Sequence, residues 1–140
     1  MNEVFTDTSH LVALLLPRDP LHHVALYAAS QLPPHCRIVS SELVMVELLG
    51  HICRGGPAAR RAAVAAWKDL RSDPLVTIMS FTPQLLADAL ALYERSLDKS
   101  WSLTDCASFV IMRSRKIRNA LTFDHHFEQA GFRALLRSAE

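Results

Sequence analysis

The chain has 140 residues and a mass of 15.6 kDa, the size of a single domain, expected over 1–140. Half of it is hydrophobic and only 21% is charged, which excludes a disordered chain and supplies enough apolar material for a core. Fifteen basic residues against fourteen acidic ones leave a net charge of +1. That balance excludes both a basic nucleic-acid coat and an acidic tail, so a polyanion partner has to be held by local patches or by metal.

The chain opens with a short strand, Glu3-Val4-Phe5-Thr6, which stops at Asp7-Thr8-Ser9. Those three residues are good helix N-caps, and the apolar run Leu11 to Leu16 follows as a helix ended by Pro17 and Pro20. A second helix is expected from Leu21 to Leu32, closed by Pro33-Pro34. Arg37-Ile38-Val39 reads as a strand, and Ser40-Ser41 caps a third helix from Glu42 to about Cys53. Gly55-Gly56-Pro57 breaks that helix before an alanine-rich one from Ala58 to about Leu70. Leu75 to Met79 is the clearest strand, rich in β-branched residues. Helices follow from Pro83 to about Leu97 and from after Ser102 to about Ser114. Asn119 to Phe123 is strand-like and ends at Asp124; a short helical turn and a last strand near Phe132 to Leu135 finish the chain.

Strands alternate with helices throughout. The pattern predicts an α/β fold with a mostly parallel central sheet flanked by helices, an α/β/α sandwich. Sheets of this kind place their sites at the carboxyl ends of the strands. Four acids stand there. Asp7 closes the first strand, Asp124 closes a later one, Glu47 lies in a helix that begins directly after a strand, and Asp105 lies in the first turn of another helix.

Glu47 is read on an apolar helix face, near Leu43, Val44, Gly50 and His51, where a carboxylate costs several kcal/mol unless a partner offsets it. A buried ion pair with an arginine is the structural alternative. Ser102-Leu103-Thr104-Asp105 fits a capping box, and Asp7 and Asp124 each fit an N-cap, so each has a structural explanation of its own. Taken together, the four can converge on one cleft. Two unit charges about 4 Å apart oppose each other by about 4 kcal/mol at an effective dielectric near 20. Either their pKa values rise or a cation neutralises them. Hard oxygen donors with open positions suit Mg²⁺ or Mn²⁺ and not zinc, and such a site suits phosphodiester hydrolysis.

At this point the sequence resembles the PIN-domain ribonucleases, in particular the VapC-type toxins of toxin–antitoxin pairs. The resemblance is carried by Phe5-Thr6-Asp7-Thr8-Ser9, by Ser40 to Leu48, by Trp101-Ser102-Leu103-Thr104-Asp105-Cys106-Ala107-Ser108, and by Ala120 to Phe127 with Gly131-Phe132 after it. These segments occur in family order and span nearly the whole chain. The resemblance implies a PIN-like nuclease domain with metal-ligand roles for Asp7 and Asp105 first, then Asp124 and Glu47. Ser9 and Thr104 match positions beside the metal, as contacts to the ligands or the substrate. It also implies magnesium-dependent cleavage of RNA, a homodimer and inhibition by a small antitoxin. Many relatives carry a further acid two residues past the equivalent of Asp124; this sequence has His126 there. The second metal position is therefore expected to be weak or formed only with substrate.

Other signals carry less. His22-His23 and His125-His126 are adjacent pairs, which on a helix point to different faces, so surface or polar-contact roles are expected. Arg113, Arg115, Lys116 and Arg118 read as a solvated helix end, and alternatively as a phosphate contact. Arg54, Arg60 and Arg61 allow the same two readings. Trp67, Trp101 and Tyr93 are expected in core or dimer packing. Gly50 and Gly55 have P-loop spacing, but no Lys-Ser/Thr follows, so nucleotide binding is excluded there.

The four glycines also exclude collagen and a G-x-G-x-x-G loop. Three scattered cysteines, Cys36, Cys53 and Cys106, argue against a disulfide framework and a thiolate zinc site, and read as reduced thiols in a cytoplasmic interior. The Leu11–Leu16 run is far short of the roughly 20 apolar residues of a membrane span, and no basic segment precedes it, so neither membrane nor secretion is expected.

The leading expectation is a metal-dependent endoribonuclease. Two alternatives remain: a non-catalytic binding module on the same fold, and a phosphatase with Asp7 as nucleophile. The phosphatase class needs a second aspartate two positions on, where this chain has Ser9.

Overall fold

A computed structural model describes residues 1–138. Five strands, β1 (Glu3–Thr6), β2 (Arg37–Ser41), β3 (Val76–Met79), β4 (Asn119–Leu121) and β5 (Arg133–Ala134), form one sheet in the order β3-β2-β1-β4-β5. Every pairing is parallel. The connections are α1 (Thr8–Leu15) and α2 (His22–Ser30), then α3 (Glu42–Ile52) and α4 (Pro57–Ser72), then α5 (Pro83–Arg95) and α6 (Leu103–Arg115), and finally α7 (His125–Gln129). A short α8 (Leu135–Ser138) ends the described chain.

The alternation of side chains along the strands builds two apolar layers. Phe5, Val39 and Ala120 point into one layer, with Val44, Leu48, Phe109, Met112 and Phe127. Val4, Ile38 and Leu121 point into the other, with Ala13, Ala25, Ala28 and Leu136. A parallel sheet covered on both faces needs apolar residues at consecutive strand positions, and Val4-Phe5 supplies them.

Asp7 stands at the N-cap position of α1, but its side chain makes no capping hydrogen bond, whereas other caps form theirs. Ser41 accepts from the Val44 N–H, Thr82 from the Leu85 N–H, and Ser102 with Asp105 forms a complete capping box on α6. Glu42 accepts the Phe81 N–H at 2.7 Å, which ties the start of α3 to the turn before α5.

Two local readings are corrected. The last strand is shorter than Phe132–Leu135: Leu135 already begins α8, and the Leu136 N–H donates to the Thr122 carbonyl at 3.2 Å. Cys36 and Cys106 are buried, but Cys53 is exposed at the end of α3, where the helix runs out of neighbours to cover it. Tyr93 is half-exposed on α5, whereas Trp67 and Trp101 pack against the core.

The strand order reverses at β1, with β2 on one side and β4 on the other. Connections leave that point in opposite directions and open a crevice at the carboxyl ends of β1 and β4. α6 precedes β4 and runs back across the sheet, so its first turn also lies at that edge. Its last turn, with Arg113 and Arg115, lies at the opposite edge, where Arg115 pairs with Glu3 at 2.7 Å. The basic run there belongs to a helix end.

Candidate metal and active site

Asp7 is the first residue past β1. Its N–H donates to the Leu121 carbonyl of β4 at 3.1 Å, so the parallel register continues one step and sets Asp7 beside Thr122. The Thr122 hydroxyl donates to Asp7 Oδ2 at 2.9 Å. It also accepts the Asp124 N–H at 3.0 Å. Ser9 Oγ lies 3.1 Å from the same hydroxyl and 3.4 Å from Asp7 Oδ2, and it accepts the Phe123 N–H at 3.1 Å. One pair of hydroxyls thus fixes the ends of β1 and β4 to each other.

Asp124 caps α7 through Oδ1, which accepts the His126 N–H at 2.9 Å. Asp105 accepts the Ser102 N–H through Oδ2 at 3.0 Å. His126 Nδ1 bridges the two acids, 3.0 Å from Asp105 Oδ2 and 3.3 Å from Asp124 Oδ1. The capping role and a site role are therefore not exclusive: each carboxylate keeps a second oxygen that accepts no hydrogen bond among the described residues.

The electrostatics follow from burial. Asp7 is only 4% exposed. Burial pushes its carboxyl up to about 7; the Thr8 backbone and Thr122 hydrogen bonds oppose this, and the charges of Asp105 and Glu47 add to it. Asp105 is also raised, by burial first and then by Asp124, with Ser102 and His126 working against the shift. Asp7 and Asp105 are thus within electrostatic reach of each other, as are Asp105 and Asp124.

Glu47 departs from its expected setting. It is exposed at the rim, with neither a buried position nor an arginine partner among the described residues. The buried stripe of α3 is Val44, Met45, Leu48 and Ile52. Glu47 falls beside that stripe, on the face of Gly50 and His51, which is open. Its charge still reaches Asp7. Thr104 is half-buried beside Asp105; its carbonyl accepts the Ser108 hydroxyl at 2.8 Å.

Asp7, Asp105 and Asp124 supply only oxygen donors, and burial pushes the Asp7 carboxyl up to about 7, a chemistry that suits a hard divalent cation. A model of the PIN domain matches residues 4–133. The chain belongs to the PIN-domain family. Two curated relatives, the 23S rRNA-specific endonuclease VapC20 of Mycobacterium tuberculosis from strains CDC 1551 / Oshkosh and ATCC 25618 / H37Rv, are each 33% identical over 132 residues. The alignments cover 92% of this chain and 95% of the relative. The crystal structure of Mycobacterium tuberculosis VapC20, described as a Sarcin-Ricin loop cleaving toxin, superposes with a TM-score of 0.82 at 32% identity over the same shares. This PIN domain is thus of the VapC type, among the family's ribonucleases.

Two site residues of this PIN domain escape a reading of spacing alone. Thr122 is fully buried and touches both strand ends, yet in sequence it is one residue of an apolar strand. His126 makes a polar contact, as expected, but spacing does not reveal that the contact is to both Asp105 and Asp124. Here the pair occupies the first turn of α7, with ring centres 4.6 Å apart and both Nδ1 atoms turned toward Asp124. The signal for both was their position directly after β4.

Beneath the site lies a second buried polar group. His10 Nδ1 meets the Thr6 hydroxyl at 3.0 Å, and Ser40 donates to the Thr6 carbonyl at 2.9 Å. Burial pushes His10 down to about 4, so it is neutral. These contacts brace β1 and β2 immediately before Asp7.

Proposed function

We propose that this chain is a divalent-metal-dependent endoribonuclease, the toxin of a toxin–antitoxin pair, with the whole chain, 1–140, working as one nuclease domain. Asp7, Asp105 and Asp124 hold Mg²⁺, with Mn²⁺ able to substitute, and Glu47 completes the set from the rim. A cation held there would lower the pKa of a bound water and steady the leaving oxygen of a phosphodiester. The chain's own residues do the rest. Thr122 and Ser9 fix the Asp7 carboxylate, Ser102 and His126 fix Asp105, and the α7 N-terminus fixes Asp124. Thr104 stands beside Asp105 as a substrate contact.

The observation that carries this reading is the continuous hydrogen-bonded path from Asp7 through Thr122, Asp124 and His126 to Asp105. A purely structural role does not need a buried carboxylate at a strand-order reversal with two further acids joined to it through hydrogen bonds. The names of the relatives point to ribosomal RNA as the substrate class, and the VapC type to a small antitoxin, a homodimer and action in the cytoplasm.

The test is cleavage of ribosomal RNA with Mg²⁺ or Mn²⁺, with EDTA, and in Asp7→Asn and Asp105→Asn. Cleavage should need the ion and fall at least a hundredfold in each variant. Undiminished cleavage in either variant, or in EDTA, overturns the reading.

A further inference from the structure

Asp124, His125 and His126 each offer one ligand atom, and these atoms lie within 4.8 Å of one another. The individual separations are tighter. Asp124 Oδ1 is 3.3 Å from His126 Nδ1 and 3.8 Å from His125 Nδ1, and Asp105 Oδ2 is 3.0 Å from His126 Nδ1. Ligand atoms about 2.0–2.2 Å from a common ion stand roughly 3–3.5 Å apart, so little movement is needed to close a shell. The α7 cap holds Asp124 Oδ1 in place, and Ser100 Oγ lies 3.4 Å from His126 Nε2 on the far side of the ring. His125 is the exposed member, its side chain 59% accessible.

This donor set differs from that around Asp7. It joins two imidazole nitrogens to carboxylate oxygens. Nitrogen donors favour the later first-row divalent ions, whereas Mg²⁺ prefers oxygen and keeps its waters. An ion taking the place of a proton at His126 Nδ1 would meet one nitrogen and two carboxylate oxygens at once.

We propose that Asp124, His125 and His126, with Asp105 alongside, form a binding site for a borderline transition-metal ion such as Zn²⁺ or Co²⁺, distinct in selectivity from the all-carboxylate position at Asp7. The site shares Asp105 and Asp124 with the proposed nuclease centre, but its occupancy does not depend on RNA cleavage. The ion takes the Nδ1 lone pair of the neutral imidazole, whose one ring proton then sits on Nε2, the nitrogen that faces Ser100 Oγ in His126, and no redox step is involved. Two classes of divalent ion are then accepted within one crevice, one by oxygen donors and one by a mixed set.

The experiment is a titration of the full chain with ZnCl₂, without and with excess MgCl₂, followed by calorimetry and by the imidazole ¹⁵N shifts. One Zn²⁺ should bind per chain, perturb the rings of His125 and His126, and resist Mg²⁺. His125→Ala and His126→Ala should each weaken Zn²⁺ at least tenfold. His126→Asp should weaken Zn²⁺ and strengthen Mg²⁺. Asp7→Asn separates the two readings: it should abolish Mg²⁺-supported cleavage and leave Zn²⁺ affinity within about twofold. Should His126→Ala fail to fold, the exposed His125→Ala carries the test. Unchanged Zn²⁺ affinity in His125→Ala, ring shifts confined to His22, His23 or other histidines, or displacement by Mg²⁺ overturns the proposal.

Discussion

Thr122 and Asp7 lie 115 residues apart and are joined by a 2.9 Å hydrogen bond between side chains, buried at the point where β1 and β4 end together. The hydroxyl donates to the Asp7 carboxylate and accepts the Asp124 N–H, so it sets the spacing of two proposed ligands at once.

Replacing it with a shape-equivalent apolar residue isolates that role. Thr122→Val should reduce Mg²⁺ affinity and RNA cleavage roughly 10- to 100-fold, the usual loss when the partner that orients a ligand is removed. It should also cost about 1–3 kcal/mol of stability, because the Asp124 N–H loses its acceptor. Thr122→Ser should recover most of both. Calorimetric titration with Mg²⁺ and thermal unfolding measure the two effects.

Asp7 carries a pH dependence whose sign is set by burial. Its folded pKa, about 7, lies above the ordinary value of 3.8, so between those values the folded chain holds a proton that the unfolded chain has released. Without metal, this group's contribution therefore falls as pH rises from about 4 to 7, by at most about 4 kcal/mol. Metal reverses the trend, because it binds the ionised form. Mg²⁺ binding should tighten as pH rises towards 7 and release close to one proton per ion below it. Unfolding scans of metal-free protein at pH 5 and pH 8, and calorimetry in buffers of different ionisation heat, check both. Asp7→Asn should flatten the stability profile and destroy Mg²⁺ binding.

Glu47 and Asp105 should separate stability from activity. Glu47 is exposed, so Glu47→Gln should leave the unfolding free energy within about 0.5 kcal/mol of wild type while lowering cleavage roughly tenfold or more. Asp105→Asn should lose activity and also disturb the α6 cap, whose two hydrogen bonds join Ser102 and Asp105 at 3.0 Å each.

Trp101 and Gln129 form the strut that holds α7 against α6. The indole N–H donates to Gln129 Oε1 at 3.0 Å, and the ring meets Phe109 edge-on with centroids 4.9 Å apart. α7 carries Asp124 at its cap and His126 in its first turn, so freeing its far end loosens their geometry toward Asp105. Gln129→Leu should lower kcat about tenfold with KM for RNA little changed, and Gln129→Glu, which keeps the acceptor, should retain activity. A combined Trp101→Phe and Gln129→Leu variant should be no worse than either alone.

Much of this was legible in the sequence for local reasons. Caps, prolines and β-branched runs act within a few residues, so the alternating elements, the Ser102–Asp105 capping box and the strand-end positions of Asp7 and Asp124 could be read directly. The parallel sheet followed from the alternation, because a helix between two strands returns the chain to the same edge. Tertiary structure alone decided which strands are neighbours. The order β3-β2-β1-β4-β5 sets Asp7 beside Thr122, turns an N-cap and a capping box into one acidic hollow, and leaves Glu47 at its rim although its helix is apolar nearly throughout. Periodicity reports how buried a face is on average; which side chain meets which, 115 positions away, depends on strand register and on the crossing of helices, and these are properties of the packed chain.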